Sequence, residues 1–347
     1  MTLPDVETLR LCSTLASMAY GFVFAVLWLR DREALHLAMW AASSLLYGAV
    51  IAIFSILPIG ATAVSTIPFA LLAVSNVLPV AGAAWFEGKP LFARWMVVPV
   101  IAAGGGHAVP AMLAARGWIA TDGPWQTLGD AGGLAVSMAV SGAVLAFGPG
   151  ARLSAGRRLA GAAMLAYLPA YALSIAGEFT VLQHRELVAL LAMLSDQLLL
   201  GILNLGLLAI PVEQVQRDLR DAARRDPLTG CWNRAGLKAV EAGFLSEGAA
   251  AIAIDVDHFK AVNDRYGHAV GDDVLALIGR EATALASRFG GHAARVGGDE
   301  FVILIPPAKG AAADLWHCSG AGSRPAVRSV PAGRSAWALA KCGRVIR

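Results

Sequence analysis

The sequence predicts an α-helical transmembrane bundle followed by a separate α+β domain. Three observations lead there. Of the 347 residues, 57% are hydrophobic and only 15% charged, and the mean hydropathy is +0.60. A soluble domain carries about 25% charged and about 45–50% apolar residues. The excess is not spread evenly, because residues 1–211 consist mostly of long apolar blocks. From residue 212 onward the chain turns charged, and short β-prone runs replace the blocks.

A membrane-spanning helix needs about 20 consecutive apolar residues. Blocks of that length lie near 9–29, 35–58, 62–86, 95–115, 129–148, 159–182 and 187–211, which predicts about seven spans. Gly104, Gly105 and Gly106 are expected to interrupt the fourth, ahead of Pro110. The front of the first block carries Asp5, Glu7 and Arg10 and no small-residue cleavage site follows it, so it reads as a first span and not a signal peptide.

Lys and Arg collect in alternate loops. One set holds Arg30, Arg32, Lys89, Arg94, Arg152, Arg157 and Arg158, with Arg217, Arg220, Arg224 and Arg225 after the last block. The other holds Arg10, Arg116 and Arg185. Because basic loops stay on the cytoplasmic side, the N-terminus is expected outside and the C-terminal domain inside. Glu178 and Asp196 are the ionisable residues picked out within the blocks, with His107 beside the glycines. A charge at that depth pairs inside the bundle or marks a functional site. The net charge of +3 and the lack of a basic stripe argue against a nucleic-acid partner. Cys12, Cys231, Cys318 and Cys342 have no zinc-ligand spacing and read as free thiols.

Residues 212–225, VEQVQRDLRDAARR, contain no Gly or Pro and place Val212, Val215 and Leu219 at helical spacing. They are expected to continue the last span as a helical linker, ended by Asp226-Pro227. Such a seam suits either a short coiled coil or a solvated helix.

The chemistry-bearing part begins at 249–255, AAAIAID, an apolar strand with Asp255 at its C-terminal mouth. Two further β-prone runs, 294–296 and 301–305, flank Gly297, Gly298, Asp299 and Glu300. A Gly-Gly pair between strands predicts a hairpin with positive φ in its turn. If that hairpin lies beside the first strand, Asp255 and Asp299 converge. Two carboxylates and a backbone carbonyl make a hard-oxygen site suited to Mg²⁺ with substrate phosphates. The residues alone leave bland readings open: Asn263 and Asp272 as caps, Lys260 as a solvated charge.

The motifs DPLTG at 226–230, NR at 233–234, DVDHFK at 255–260, ND at 263–264, YGH at 266–268, GD at 271–272 and RVGGDEF at 295–301 stand in this order. Together they resemble the GGDEF diguanylate cyclases, over about residues 216–308. The resemblance implies a ferredoxin-like, nucleotide-cyclase-type domain at 226–308, in the inner membrane of a bacterium by way of the spans. It implies condensation of two GTP into cyclic di-GMP with release of pyrophosphate. Asp255, Asp299 and the carbonyl of Val256 would hold Mg²⁺ or Mn²⁺. Asp299 or Glu300 would help deprotonate the attacking hydroxyl. Phe259 and Lys260 would hold the triphosphate, Asn263 and Asp272 the guanine edge, and Gly297 and Gly298 would allow close approach. One GTP per domain implies a homodimer, formed through the linker and the GGDEF domain. The chain departs from the family in two places. Arg288 and Gly291 stand where an inhibitory Arg-x-x-Asp site is expected, so that site is degenerate. Residues 309–347 lack the family's closing helices and strand, and read as an atypical, truncated or frame-shifted tail. That departure leaves a degenerate, non-catalytic GTP-binding module as the alternative.

Overall fold

The computed structural model describes residues 6–56, 62, 64–121, 123–179, 185–244, 250–306 and 328–329. The chain divides into two units, Met1–Gln214 and Val215–Arg347. The tail expected at 309–347 lies outside the described residues, apart from 328–329.

The first unit is helical: α1 Val6–Arg30, α2 Leu35–Ile56, α3 Thr66–Phe86, α4 Val97–Ala115, α5 Pro124–Phe147, α6 Ala155–Leu165, α7 Leu168–Phe179 and α8 Arg185–Ala223. Among the described residues, seven helical stretches are long and apolar enough to cross a membrane, with α6 and α7 joined as one stretch, Ala155–Glu178. Large apolar side chains face outward, among them Phe22 at 68% and Leu198 at 65% exposure. Phe24, Trp40, Leu145, Met164 and Leu207 fill the interior.

Polar groups inside this unit repair the helices' own defects. Pro79 within α3 has no N–H, which leaves the carbonyl of Ser75 without its helical donor. Ser43 Oγ of α2 donates to that carbonyl at 2.7 Å, and Trp40 Nε1 donates to Pro79 O at 3.2 Å. Asp196 of α8 is buried and accepts from Ser13 Oγ, Tyr47 OH and Tyr167 OH at 2.5, 2.6 and 3.0 Å. It thereby ties α8 to α1, α2 and the α6–α7 junction. Arg157 is buried near the start of α6, where it pairs with Glu87 and donates to the carbonyls of Leu145 and Val144.

The expected interruption of the fourth span is not found, since α4 runs unbroken through Gly104, Gly105, Gly106 and Pro110. The glycines serve packing. A Cβ on Gly106 would clash with the Gly129 carbonyl of α5, and one on Gly133 would clash with the Ala102 carbonyl of α4. Small residues let two apolar helices approach backbone to backbone. The fifth helix begins earlier than its apolar block, with Pro124 in its first turn, where the missing N–H is harmless. The last helix runs through the linker without a break to Ala223. Val212, Val215 and Leu219 on it are exposed at 55, 57 and 65%.

The second unit contains α9 Arg234–Phe244, β1 Ala250–Asp255, α10 Phe259–Tyr266, α11 His268–Arg288, β2 His292–Arg295, β3 Glu300–Ile305 and β4 Arg328–Ser329. The sheet order is β2-β3-β1-β4, and all pairs are antiparallel. β3 therefore lies between β1 and β2, which run parallel to each other across it, a split βαβ arrangement. Side chains alternate across β3. Phe301, Ile303 and Ile305 pack with Leu275, Ala282 and Cys231 on the α11 side, and Val302 and Leu304 pack with Leu237 and Trp232 on the α9 side. Because both faces are covered, the run is apolar throughout and does not alternate. Cys231 is a buried free thiol and Cys12 an exposed one; Cys318 and Cys342 lie outside the described residues.

Candidate active site

The site is built on the register between β1 and β3. Asp255 stands opposite Glu300. One residue on, Val256 N donates to Asp299 O at 3.3 Å, and Val296 N closes the turn on Glu300 O at 2.9 Å. Asp255, Val256, Asp299 and Glu300 are thus brought to one end of the sheet. Asp255 and Glu300 are exposed and Asp299 half-buried. Among the described residues no three His, Cys, Asp or Glu side chains form a ready metal cluster. The donors present fit Mg²⁺ or Mn²⁺ nonetheless, because such an ion takes one or two protein carboxylates and completes its shell with water and phosphate oxygens.

The turn corrects one expectation. Positive φ falls at Gly88, Gly117, Gly150, Gly230, Gly267 and Gly290, and not at Gly297 or Gly298. Gly297 is the crowded one: a Cβ there would come within 3.0 Å of the Glu300 carboxylate, whereas one on Gly298 would meet nothing within 4 Å. An outside brace sets the turn's shape. Arg295 Nε and Nη2 donate to Gly298 O at 3.0 and 2.7 Å, and Nη1 donates to Asp226 Oδ1 and Oδ2 at 3.1 and 3.2 Å. Asp226 also accepts from Thr229 N at 2.9 Å and Thr229 Oγ1 at 2.7 Å. Partial burial pushes the Asp226 carboxyl up, but the Thr229 and Arg295 hydrogen bonds outweigh it and hold the group below its ordinary value. Asp226 and Arg295 are site residues that the sequence reading did not single out.

The second wall comes from α10 and α11. His258, at φ 56°, turns the chain into α10 in the left-handed region. Phe259 packs against the sheet core, and Lys260 beside it is exposed. One turn on, Asn263 Oδ1 is buried and has no hydrogen-bond partner. It fits there because residue 271 is glycine: a Cβ would clash with Asn263 Oδ1 and stand 3.3 Å from the Phe259 ring. Asp272, next in the chain, is exposed. A buried acceptor left open is an incomplete hydrogen-bonding site, since native interiors pair such atoms.

At the far end of α11, Arg288 is exposed and Gly291 buried. A Cβ on Gly291 would clash with the Leu304 carbonyl of β3. The backbone thus leaves no room for a carboxylate at this position.

Residues 223–318 match the family described as "Diguanylate cyclase, GGDEF domain". An uncharacterized 19.3 kDa protein of Streptomyces ambofaciens is 44% identical over 86 residues, which cover 24% of this chain and 46% of that protein. Diguanylate cyclase VdcA of Vibrio cholerae is 35% identical over 115 residues, covering 33% of this chain and 32% of that one. The chain spans less than half the length of these curated relatives. Among solved structures, the coiled coil and GGDEF domain of DgcB from Caulobacter crescentus, in complex with c-di-GMP, aligns at 26% identity with a TM-score of 0.25, over 30% of this chain and 56% of that one. The family match begins on the last residue of α8, so it and the resemblance read from the motifs fall on the same unit of the chain.

Proposed function

We propose that the chain is a membrane-bound diguanylate cyclase, condensing two GTP into cyclic di-GMP with release of two pyrophosphates. The observation that carries this reading is the sheet-end register, which sets Asp255 opposite Glu300 and ties Val256 to Asp299. The relatives named diguanylate cyclases support it.

In this reading the open acceptor of Asn263 and the carboxylate of Asp272 take the donors on the guanine edge. Adenine offers no matching N1–H and 2-amino pair and would leave Asn263 unpaired, which is how a polar site rejects a near-isostere. Lys260 and the first backbone N–H groups of α10 meet the triphosphate. A Mg²⁺ or Mn²⁺ held by Asp255, Asp299 and the Val256 carbonyl neutralises phosphate charge when bound. Glu300, exposed beside the turn, accepts the proton of the 3′-hydroxyl as its oxygen attacks the α-phosphorus of the second GTP. The bond from that phosphorus to the bridging oxygen breaks, and pyrophosphate leaves. Repeating the step in the other direction closes the ring.

Each domain supplies one GTP, so the reading requires two chains. The exposed Val212, Val215 and Leu219 stripe on α8 is the surface we assign to that pairing. Exposed apolar side chains along the first unit and the arginine-rich loops support a reading in which the helices span the bilayer, with the N-terminus outside and the GGDEF domain in the cytoplasm.

The test is the full chain in lipid nanodiscs with GTP and Mg²⁺, assayed for cyclic di-GMP. We expect product, and a loss of about 100-fold or more in Glu300→Gln. GTP binding without product from a dimeric chain would replace this reading with the non-catalytic, GTP-binding one.

A further inference from the structure

The helical unit holds a polar centre that the proposed chemistry does not use. His107, in the second half of α4, is 2% exposed and stacks on Phe69 of α3 with ring centroids 4.5 Å apart. Its Nε2 lies 3.3 Å from the carbonyl oxygen of Thr62. A carbonyl only accepts, so this contact is a hydrogen bond only when Nε2 carries the hydrogen. Its Nδ1 lies 2.8 Å from Asp130 Oδ1 of α5. With Nε2 already protonated, that second contact either contains a further proton or sets two lone pairs against each other. Gln126, one turn before Asp130, sits where it answers both cases. Its Nε2 is 2.9 Å from Asp130 Oδ1, 3.0 Å from His107 Nδ1 and 3.3 Å from His107 O.

We propose that His107, Asp130 and Gln126 form a proton-binding site between α4 and α5. With the proton bound, Nδ1–H donates to Asp130, and the two amide hydrogens of Gln126 go to Asp130 Oδ1 and His107 O. With the proton released, the second amide hydrogen turns from His107 O to Nδ1, so that Gln126 bridges the two acceptors. The two states differ in where one amide hydrogen of Gln126 points, and Gln126 Oε1 itself is buried without a hydrogen-bond partner.

Further features fit. The Asp130 side chain is 26% exposed against 2% for His107, so the aspartate is the proton's way in. Among the described residues, the groups facing the ring are Asp130 and neutral Gln126 from α5, the Phe69 ring from α3 and the Thr62 carbonyl ahead of it. Arg116, just past the end of α4, stacks over Trp118 further along. The site also borders the Gly106–Gly129 contact, where α4 and α5 touch backbone to backbone. It lies toward the end of the bundle away from the arginine-rich loops, so under the membrane reading the proton comes from outside.

The test needs no cyclase activity, so its failure and the failure of the proposed function are separable. The full chain, carrying ¹⁵N-labelled histidine in lipid nanodiscs, is followed by solid-state NMR of the ring nitrogens. The His107 signal is assigned by its loss in His107→Gln. We expect the ring to pass from one N–H to two as the bath is acidified from about pH 8 to about pH 5. Asp130→Asn should lower the proton affinity about tenfold or more and move the change to lower pH. Gln126→Leu should raise it by a similar factor and move the change to higher pH, because the released state loses its bridge. A cluster that only braces the helices would not shift in opposite senses. A wild-type ring that keeps one protonation state over the whole range overturns the proposal, with or without the variants. So does a shift of both variants in the same direction.

Discussion

Asn263 presents an unpaired oxygen to a buried space, and the missing side chain of Gly271 makes room for it. Under the proposed function, Gly271→Ala should weaken GTP binding about tenfold, measured by titration of the full chain, by displacing the amide assigned to the guanine edge. A second residue-scale expectation concerns acid stability. Folding holds the Asp226 carboxyl below its ordinary value. Its contribution is thus present above the unfolded Asp range, about pH 4, and is lost as pH falls through the depressed value. In Asp226→Asn the loss of thermal stability between about pH 5 and about pH 2 should be shallower than in the wild type. At this scale the sequence was legible where several short motifs stood in order: Asp255, Asp299 and Glu300 arrive at one end of the sheet as their positions implied. It was opaque where a residue acts by what it lacks or whom it meets. Nothing in the string GD announces that Gly271 vacates space for Asn263, or that Arg295 holds both Asp226 and the Gly298 carbonyl.

Among the elements, α4 and α5 show how a run of glycines is misread. Gly is a poor helix former in water, so three in a row suggested an interruption. In an apolar bundle the backbone bonds have no water to turn to, and the helix persists while its bare face takes a neighbour. Gly129→Leu should force that contact apart. We expect a loss of about 1–3 kcal/mol, read as a lower unfolding temperature of the full chain in detergent, whereas Gly105→Leu, with nothing near its Cβ, should cost little. The seven stretches long and apolar enough to cross a membrane were legible as helices, because length and hydropathy identify them without reference to partners. Their ends were not. Pro124 opens α5 ahead of its apolar block, and α6 and α7 part near Tyr167 inside a stretch that composition reads as one. Strand β3 was legible as a strand, but its unbroken apolar pattern is explained only by the helices on both sides.

For the whole molecule, the proposed topology can be checked without any ligand. A reporter enzyme active only outside the cytoplasm should work when fused after Ile56 and fail when fused after Phe86, and one active only inside should do the reverse. The opposite pattern would invert the bundle and place the sheet unit outside. Continuity matters at this scale too. From the end of α8 at Ala223 the chain takes three more residues to Asp226, and a single guanidinium spans from Asp226 to the turn bearing Asp299. That linkage is short: Nη1 alone is shared between the two Asp226 oxygens, while Nε and Nη2 both bond the Gly298 carbonyl. The turn that bears Asp299 is thus held from outside the sheet, by a carboxylate that lies three residues past the end of α8.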